Sequence, residues 1–276
     1  MPERRHAGEL HWGPWGLVAA VAIPVLWSFW VVGLPERAGR PEAWREAFGF
    51  LAGFVPPRSD AAFLAGLVRP TLDTLAMAVV GTVTALLIAV PLAAFASRTV
   101  LGGARLLTDD LRLGWLARSV HALARTTAVL LASVPEVIWA VILVRVIGLG
   151  PAAGALALGL AYGGVIAKVW SEQIEALDPA PSAALEANGA GRFQVLLFSI
   201  LPRIAPSCAA YAAYRFECAL RASAIMGFVG AGGLGFRIEE AAGYSRYDEL
   251  AACVIALVAL VAVVEWAAEL LRRRLA

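Results

Sequence analysis

Four arginines, Arg125, Arg145, Arg215 and Arg221, and three glutamates, Glu136, Glu217 and Glu265, stand inside stretches that are otherwise apolar. An ionisable side chain at membrane depth is costly and persists where it has a partner or borders a water-filled path. Two chemistries suit such a set. Arginine, whose planar fork of donors fits oxyanions, can balance an anion crossing a region of low dielectric. A carboxylate in the same setting can instead carry a proton. Glu217 precedes Arg221 by four residues, the favourable orientation for an ion pair within one helix, so that pair also reads as structural neutralisation. Arg215 near the middle of its stretch and Arg145 near an end have no acidic partner at that spacing, and Arg145 is also placed to snorkel.

The run Gly227-Phe-Val-Gly230-Ala-Gly232-Gly233-Leu-Gly235 contains a literal G-x-G-x-x-G. A dinucleotide fingerprint needs a strand before it and a helix after it within a βαβ unit, and an apolar span precedes it here, so that match is spurious. The glycines permit a compact backbone turn and the close approach of two chains across a symmetry axis. Cys208, Cys218 and Cys253 lie in apolar surroundings without CxxC or His-rich spacing and read as small core residues. The histidines His6, His11 and His121 are equally scattered, so neither a metal nor a cofactor is expected.

The elements that must position these residues follow from composition. With 60% hydrophobic residues, a mean hydropathy of +0.74 and 16% charged residues in a chain of 276, there is more apolar surface than a water-soluble core can use. The fold class is all-α: a polytopic helical membrane protein with about six spans, each long enough for a hydrocarbon core of roughly 30 Å. A net charge of +2, carried by arginine with Lys168 as the single lysine, is too small to imply nucleic acid.

In chain order, residues 1–34 hold a first span at Gly16–Leu34, bent at Pro24 and too long to be a cleaved signal peptide. Residues 35–70 form a polar, Pro-rich segment. In it Trp44, Phe48, Leu51 and Phe54 recur at helical spacing, as in an amphipathic helix at the outer interface or one packed on the bundle. The core, 71–276, begins with a span at Thr71–Ala96 whose Gly81, Thr82 and Thr84 offer a small face for packing in lipid. A third span, Ser119–Ile147, is interrupted at Ser133-Val134-Pro135-Glu136, where the proline removes a backbone donor and divides the span into two half-helices. Gly148–Gly154 reads as a turn, followed by spans at Ala155–Trp170, Ile204–Met226 and, after the Gly-rich loop, Leu250–Leu271.

Basic residues orient the bundle. Inner segments carry Arg4, Arg5, Arg98, Arg105, Arg112, Arg118, Lys168, Arg192, Arg203 and Arg272 to Arg274, whereas outer ones carry Arg37, Arg40, Arg45, Arg58, Arg69, Arg237 and Arg246. The bias puts both termini in the cytoplasm. It also places residues 178–203 inside, and there Ala183 to Pro202, ALEANGAGRFQVLLFSILP from Ala184 onward, forms a polar, helix-prone island between apolar runs.

This island resembles the coupling loop of ABC importer permeases, a pattern of Glu-Ala-Ala, three residues, Gly, nine residues, Ile, one residue, Leu-Pro. Gly189 and Leu201-Pro202 stand at the matching separation, and Ala184 and Leu185 occupy the two Ala places. Ala183 stands where the family has Glu and Ser199 where it has Ile, so the family's carboxylate contact is in doubt; Glu186, one helical turn on and beside Ala187, is a substitute. The strings SVPEVIWA (Ser133 to Ala140), VIGLGP (Val146 to Pro151), YRFECALRAS (Tyr214 to Ser223) and GFVGAGGLG (Gly227 to Gly235) extend the resemblance to the phosphonate and phosphite importer permeases.

The resemblance implies a type I ABC importer permease fold in a bacterial inner membrane. It also implies a second permease subunit, identical or paralogous, two cytoplasmic ATPase subunits, an extracytoplasmic binding protein and a small phosphorus oxyanion as cargo. Ala183, Ala184, Leu185, Glu186, Ala187, Gly189, Leu201 and Pro202 would then contact the ATPase. Arg215, Arg145, Arg221 and Glu217 are the candidates for the path, and Pro135, Gly230, Gly232, Gly233 and Gly235 for gate or turn positions. The chain has no G-x-x-x-x-G-K-[ST] loop, so it is not expected to be an enzyme and ATP must be hydrolysed by a partner. The alternative from another class is a proton-coupled carrier using Glu136, Glu217 or Glu265; such carriers show broken helices in both halves, whereas one broken span and no internal repeat are seen here. A structural membrane subunit is a third reading.

Overall fold

A computed structural model describes residues 14–33, 40–102 and 115–275. The expected inner basic residues Arg4, Arg5, Arg105 and Arg112, and the outer Arg37, lie outside them. The chain divides into two compact units, Met1–Val55 and Pro56–Ala276.

In the first unit, α1 (Pro14–Val31) is apolar on every face and contains Pro24. Its apolar part, Val18–Val31, is shorter than a full span. α2 (Pro41–Ala52) begins on a proline whose missing N–H costs nothing at that position. It is amphipathic as its spacing predicts, with Trp44, Phe48 and Leu51 exposed.

The second unit is built on α3 (Ala61–Ala96), a helix of 36 residues and so about 54 Å long, well beyond the hydrocarbon thickness. It starts at Ala61, not Thr71, because Asp60 precedes an apolar run that Pro70 does not interrupt. The hydroxyls of Thr71 and Thr74 donate back to the carbonyls of Leu67 and Pro70 at 2.7 and 2.9 Å, meeting their own needs inside an apolar helix.

α3 packs along α7 (Pro151–Glu175), and this seam is the core: Met77, Ala78, Ala85 and Ala89 lie buried against Ala157, Leu158, Ala161, Ile166 and Ala167. In lipid there is no hydrophobic drive between helices, so association depends on close contact, which small residues allow. A Cβ on Gly81 would stand 2.9 Å from Leu158 Cβ, and one on Gly159 would stand 2.6 Å from the Thr84 methyl.

A short α4 (Arg98–Gly102) follows α3, and then α5 (Trp115–Ser133) and α6 (Glu136–Ile147) meet at a 90° bend. Pro135 has no N–H to continue α5, while its carbonyl accepts from Ile138 N at 3.0 Å and opens the next helix. Trp139 Nε1 donates to Leu131 O at 3.5 Å across the corner. Gly148 and Gly150, both at positive φ, turn the chain into α7, so the expected turn is confined to Gly148–Gly150 and Gly154 is helical.

The remaining elements are α8 (Ala180–Ala187), α9 (Arg192–Val195), a π turn (Leu196–Ile200), α10 (Leu201–Met226), a second π turn (Gly227–Ala231), α11 (Gly233–Gly243) and α12 (Tyr247–Leu275). The Gly-rich stretch is thus largely helical and not a loop: only Gly230, Gly232 and Gly233 take positive φ, and Gly235 lies inside α11. Among the described residues four helical runs, α3, α7, Arg192–Ala231 and Tyr247–Leu270, are long and apolar enough to cross a membrane, and the bent α5–α6 pair makes a fifth if it is one span. That is four or five, against the expected total of about six, because the apolar part of α1 falls short of a full span.

Candidate functional site

The polar segment after α7 ends in a compact, internally satisfied motif. Asp178 Oδ1 accepts the N–H of Ala180 at 3.0 Å and opens α8. At the far end Gly189 N donates to Glu186 O at 2.9 Å and Ala190 N to Leu185 O at 3.1 Å. These two bonds are the paired contacts of a Schellman cap, and Gly189 at φ +85° is the left-handed residue it needs. A Cβ on Gly189 would meet nothing within 4 Å, so backbone conformation and not space demands glycine here. Gln194 Oε1 then accepts from Gly191 N at 2.8 Å and starts α9.

Ala184, Ala187, Gly189, Leu201 and Pro202 are exposed, and Ala183, Leu185 and Glu186 are half-buried. A pocket of ≈400 Å³ beside them is lined by Leu185, Asn188, Gly189, Ala190, Gln194 and Phe198, with Phe198 73% exposed at its edge. Beneath, Ile174, Val195, Ile200, Ile204 and Cys208 form a separate buried cluster. Ser199 is buried and its hydroxyl lies 2.9 Å from that of Ser182. A polar residue at an otherwise apolar position is therefore accounted for by a polar partner on α8.

This segment is anchored to the helices around it. Arg203 Nη1 donates to Asp178 O at 2.9 Å and Arg192 Nη1 to Leu101 O at 3.2 Å. Glu175, the last residue of α7, accepts from Arg98 N at 2.9 Å and pairs with Arg125 of α5 at 3.6 Å. Arg98 Nε also donates to His121 Nε2 at 3.5 Å. Arg125 thus belongs to a charge cluster at the base of α7.

At the opposite end of α10 the glycines bring parts of one chain together. A Cβ on Gly235 would overlap the carbonyl of Ala224, and one on Gly227 would overlap the backbone of Gly235. Gly150 N donates to Gly230 O at 3.1 Å, and Leu234 N to Thr74 Oγ1 at 2.8 Å. The second π turn is therefore tied to the α6–α7 turn, and the start of α11 to α3. Nearby, Arg58 pairs with Asp60 at 2.8 Å and Glu249 at 2.6 Å; the hydrogen bonds it donates, first to Asp60 and then to Glu249, push its guanidinium pKa up.

Between these ends lie the charged residues. Arg215 is half-buried on α10, and its guanidinium carbon sits 5.5, 5.3 and 5.8 Å from the ring centres of Tyr162, Tyr211 and Tyr214. Its Nε and Nη2 donate to Tyr211 Oη at 2.9 and 2.8 Å. Arg221 reaches Glu265 of α12 at 3.3 Å. Of the four path candidates, Arg215 is the one that stands against the Tyr162 ring, whereas Arg145 is exposed in the last turn of α6. The Tyr211–Arg215 spacing of i, i+4 was a usable sequence signal. Tyr162, on a different helix, left none. Among the described residues no group of three or more His, Cys, Asp or Glu is placed to hold a metal.

Among the described residues the protein is an all-helical, multi-pass bundle with a capped polar segment between long apolar helices, the architecture of a membrane-embedded protein. Residues 111–276 match the family described as binding-protein-dependent transport system inner membrane component, and the chain belongs to it. It is 36% identical over 95% of its length, and 90% of the other's, to the phosphite transport system permease protein PtxC of Stutzerimonas stutzeri. It is 34% identical over 81% of its length to the phosphate-import permease protein PhnE of Mycolicibacterium smegmatis, covering 39% of that protein. A solved chain of the MetNI methionine ABC transporter, in inward-facing conformations, has a TM-score of 0.63 at 24% identity, over 79% of this chain and 100% of that one, which shows a shared fold. A component of such a system works with an ATPase and a substrate-binding protein. The proton-coupled carrier and the structural subunit are thereby set aside.

Proposed function

We propose that this chain is the permease through which a small phosphorus oxyanion, phosphite or a phosphonate, enters the cell. The observation that carries the reading is the 36% identity sustained over 95% of the chain to a protein named as a phosphite permease. Two copies, or this chain and a paralogue, enclose the path. Two ATPase subunits dock from the cytoplasm on Ala183, Ala184, Leu185, Glu186, Ala187, Gly189, Leu201 and Pro202, and both termini lie on that side. Closure of the ATPases on ATP pushes the capped α8 segment, and the rigid seam of α3 and α7 turns with it, switching the access of the cavity. Arg215, and less centrally Arg221, Glu217 and Arg145, balance the anion as it passes. Pro135, Gly230, Gly232, Gly233 and Gly235 shape the turns at which the path opens.

The test is reconstitution with the cognate ATPase and binding protein. Phosphite or methylphosphonate uptake should depend on ATP. Gly189→Arg should leave the chain inserted but abolish co-purification with the ATPase, because a charged side chain would protrude from the docking face. Unchanged uptake in that variant would remove the α8 segment from coupling.

A further inference from the structure

The Arg215 cluster has an unusual hydrogen-bond balance. A guanidinium has five N–H donors and a phenol oxygen a small acceptor capacity. Here two donors of Arg215, on Nε and Nη2, converge on Tyr211 Oη at 2.9 and 2.8 Å. With its acceptor capacity so used, the Tyr211 hydroxyl has only its O–H left to offer. No acceptor among the described residues takes that hydrogen, and none takes the three remaining guanidinium donors. An arginine that merely fastens helices would end on a carboxylate or a main-chain carbonyl, as Arg203 does.

Tyr162, Tyr211 and Tyr214 surround the guanidinium at 5.3 to 5.8 Å, within cation–π range. What Arg215 and Tyr211 have left to offer a ligand is the Nη1 donors, the second Nη2 hydrogen and the Tyr211 O–H. Tyr162, 7% exposed, brings a buried ring from α7 to the same guanidinium. A set of donors with no acceptor suits a ligand that is all acceptor.

We propose that Tyr211 and Arg215 together form one transient oxyanion site, in which Tyr211 fixes the guanidinium edge-on and adds its own O–H to the anion. This rests on the reading that the chain carries a phosphorus oxyanion. The site takes tetrahedral oxyanions and rejects zwitterions, whose ammonium group would find donors where it needs acceptors.

The experiment uses the complete complex of permease, ATPase and binding protein in proteoliposomes, with phosphite as the probe. Tyr211→Phe should lower phosphite uptake about ten-fold, the loss expected for one hydrogen bond to a charged group. ATP hydrolysis should persist, so that ATP consumed per phosphite rises by the same factor, while the binding-protein concentration for half-maximal rate and the thermal midpoint stay unchanged. Arg215→Lys, which keeps the charge and loses the fork, should fall similarly. Wild-type uptake by Tyr211→Phe while Arg215→Gln is slow would overturn the role of Tyr211 and leave Arg215 in the path. A Tyr211→Phe complex that fails to assemble would overturn the site in favour of a structural lock. A wild-type complex that imports neither phosphite nor methylphosphonate would instead overturn the transport reading beneath it.

Discussion

The hydroxyl oxygens of Ser182 and Ser199 lie 2.9 Å apart, both buried, and join α8 to the π turn that precedes the long helix α10. Each is the other's compensation for leaving water. Ser182→Ala would strand the Ser199 hydroxyl in the apolar cluster around Val195 and Ile200, at a cost of about 1–2 kcal/mol. Ser199→Ala should cost the same, and the double variant no more than either alone. Unfolding in detergent micelles would measure all three, and strictly additive losses would show that the pair is not coupled.

Glycines on α3 and α7 should respond in opposite directions. Gly66 has nothing within 4 Å of where its Cβ would stand, so Gly66→Ala should gain up to about 1 kcal/mol from helix propensity alone. Gly81→Ala would drive a methyl to 2.9 Å from Leu158 Cβ in the middle of the α3–α7 seam and should lower stability by about 1–3 kcal/mol. Gly164→Val is worse, since its Cβ would stand 2.6 Å from Leu131 Cβ and 2.7 Å from Ala128 O. Yield of folded protein on size exclusion, with thermal midpoints, checks the order Gly66→Ala above wild type above Gly81→Ala above Gly164→Val.

Much of this architecture was legible in advance, and the reasons are local. Apolar runs mark spans whatever their neighbours do, Pro135 breaks a helix by its own chemistry, and Gly189 closes α8 by its own φ. The small face of Gly81 and Thr84 was legible too, because close packing in lipid leaves few other uses for it. Long-range partners were not. Nothing in the chain announces that Ser199 meets Ser182, that Thr74 supports Leu234, or that Tyr162 closes over Arg215. The start of α3 was misplaced because a proline at position 70 looks like a boundary, although a long helix tolerates it when Thr71 and Thr74 bond back to nearby carbonyls. The glycine run from Gly227 read as a loop, whereas the absence of side chains lets one helical turn lie directly on another.

Arg221 and Glu265 form a contact between α10 and α12 at 3.3 Å, with both side chains about half exposed to the surroundings of the chain. If the pair serves assembly, Arg221→Glu should lose complex and Arg221→Glu with Glu265→Arg should recover it, since the swap restores opposite charges. If Arg221 serves the path, the swap should assemble and still transport slowly. Blue-native migration and phosphite uptake, measured on the same preparations, separate the two.

The orientation of the bundle is open to a direct labelling test whose outcome follows from lengths. α10 has 26 residues and so runs about 39 Å, more than the roughly 30 Å of hydrocarbon it must cross. Its two ends therefore belong to opposite faces of the membrane. Asn188, exposed at the end of α8, lies before it on the face that the arginine bias assigns to the cytoplasm. Tyr244, 71% exposed, lies after it beyond α11, whose 11 residues, about 16 Å, are too short to bring the chain back. Ser182 is a poor probe because it is buried. With Cys208, Cys218 and Cys253 replaced by alanine, Tyr244→Cys should react with an impermeant maleimide on intact cells stripped of outer barriers. Asn188→Cys should react only after permeabilisation. Labelling of both from one side would break the span at α10 and with it the placement of the docking segment. Labelling in the reverse order would keep the span and invert the protein. α12 then crosses once more, so a cysteine appended to the C-terminus should follow Asn188 and not Tyr244.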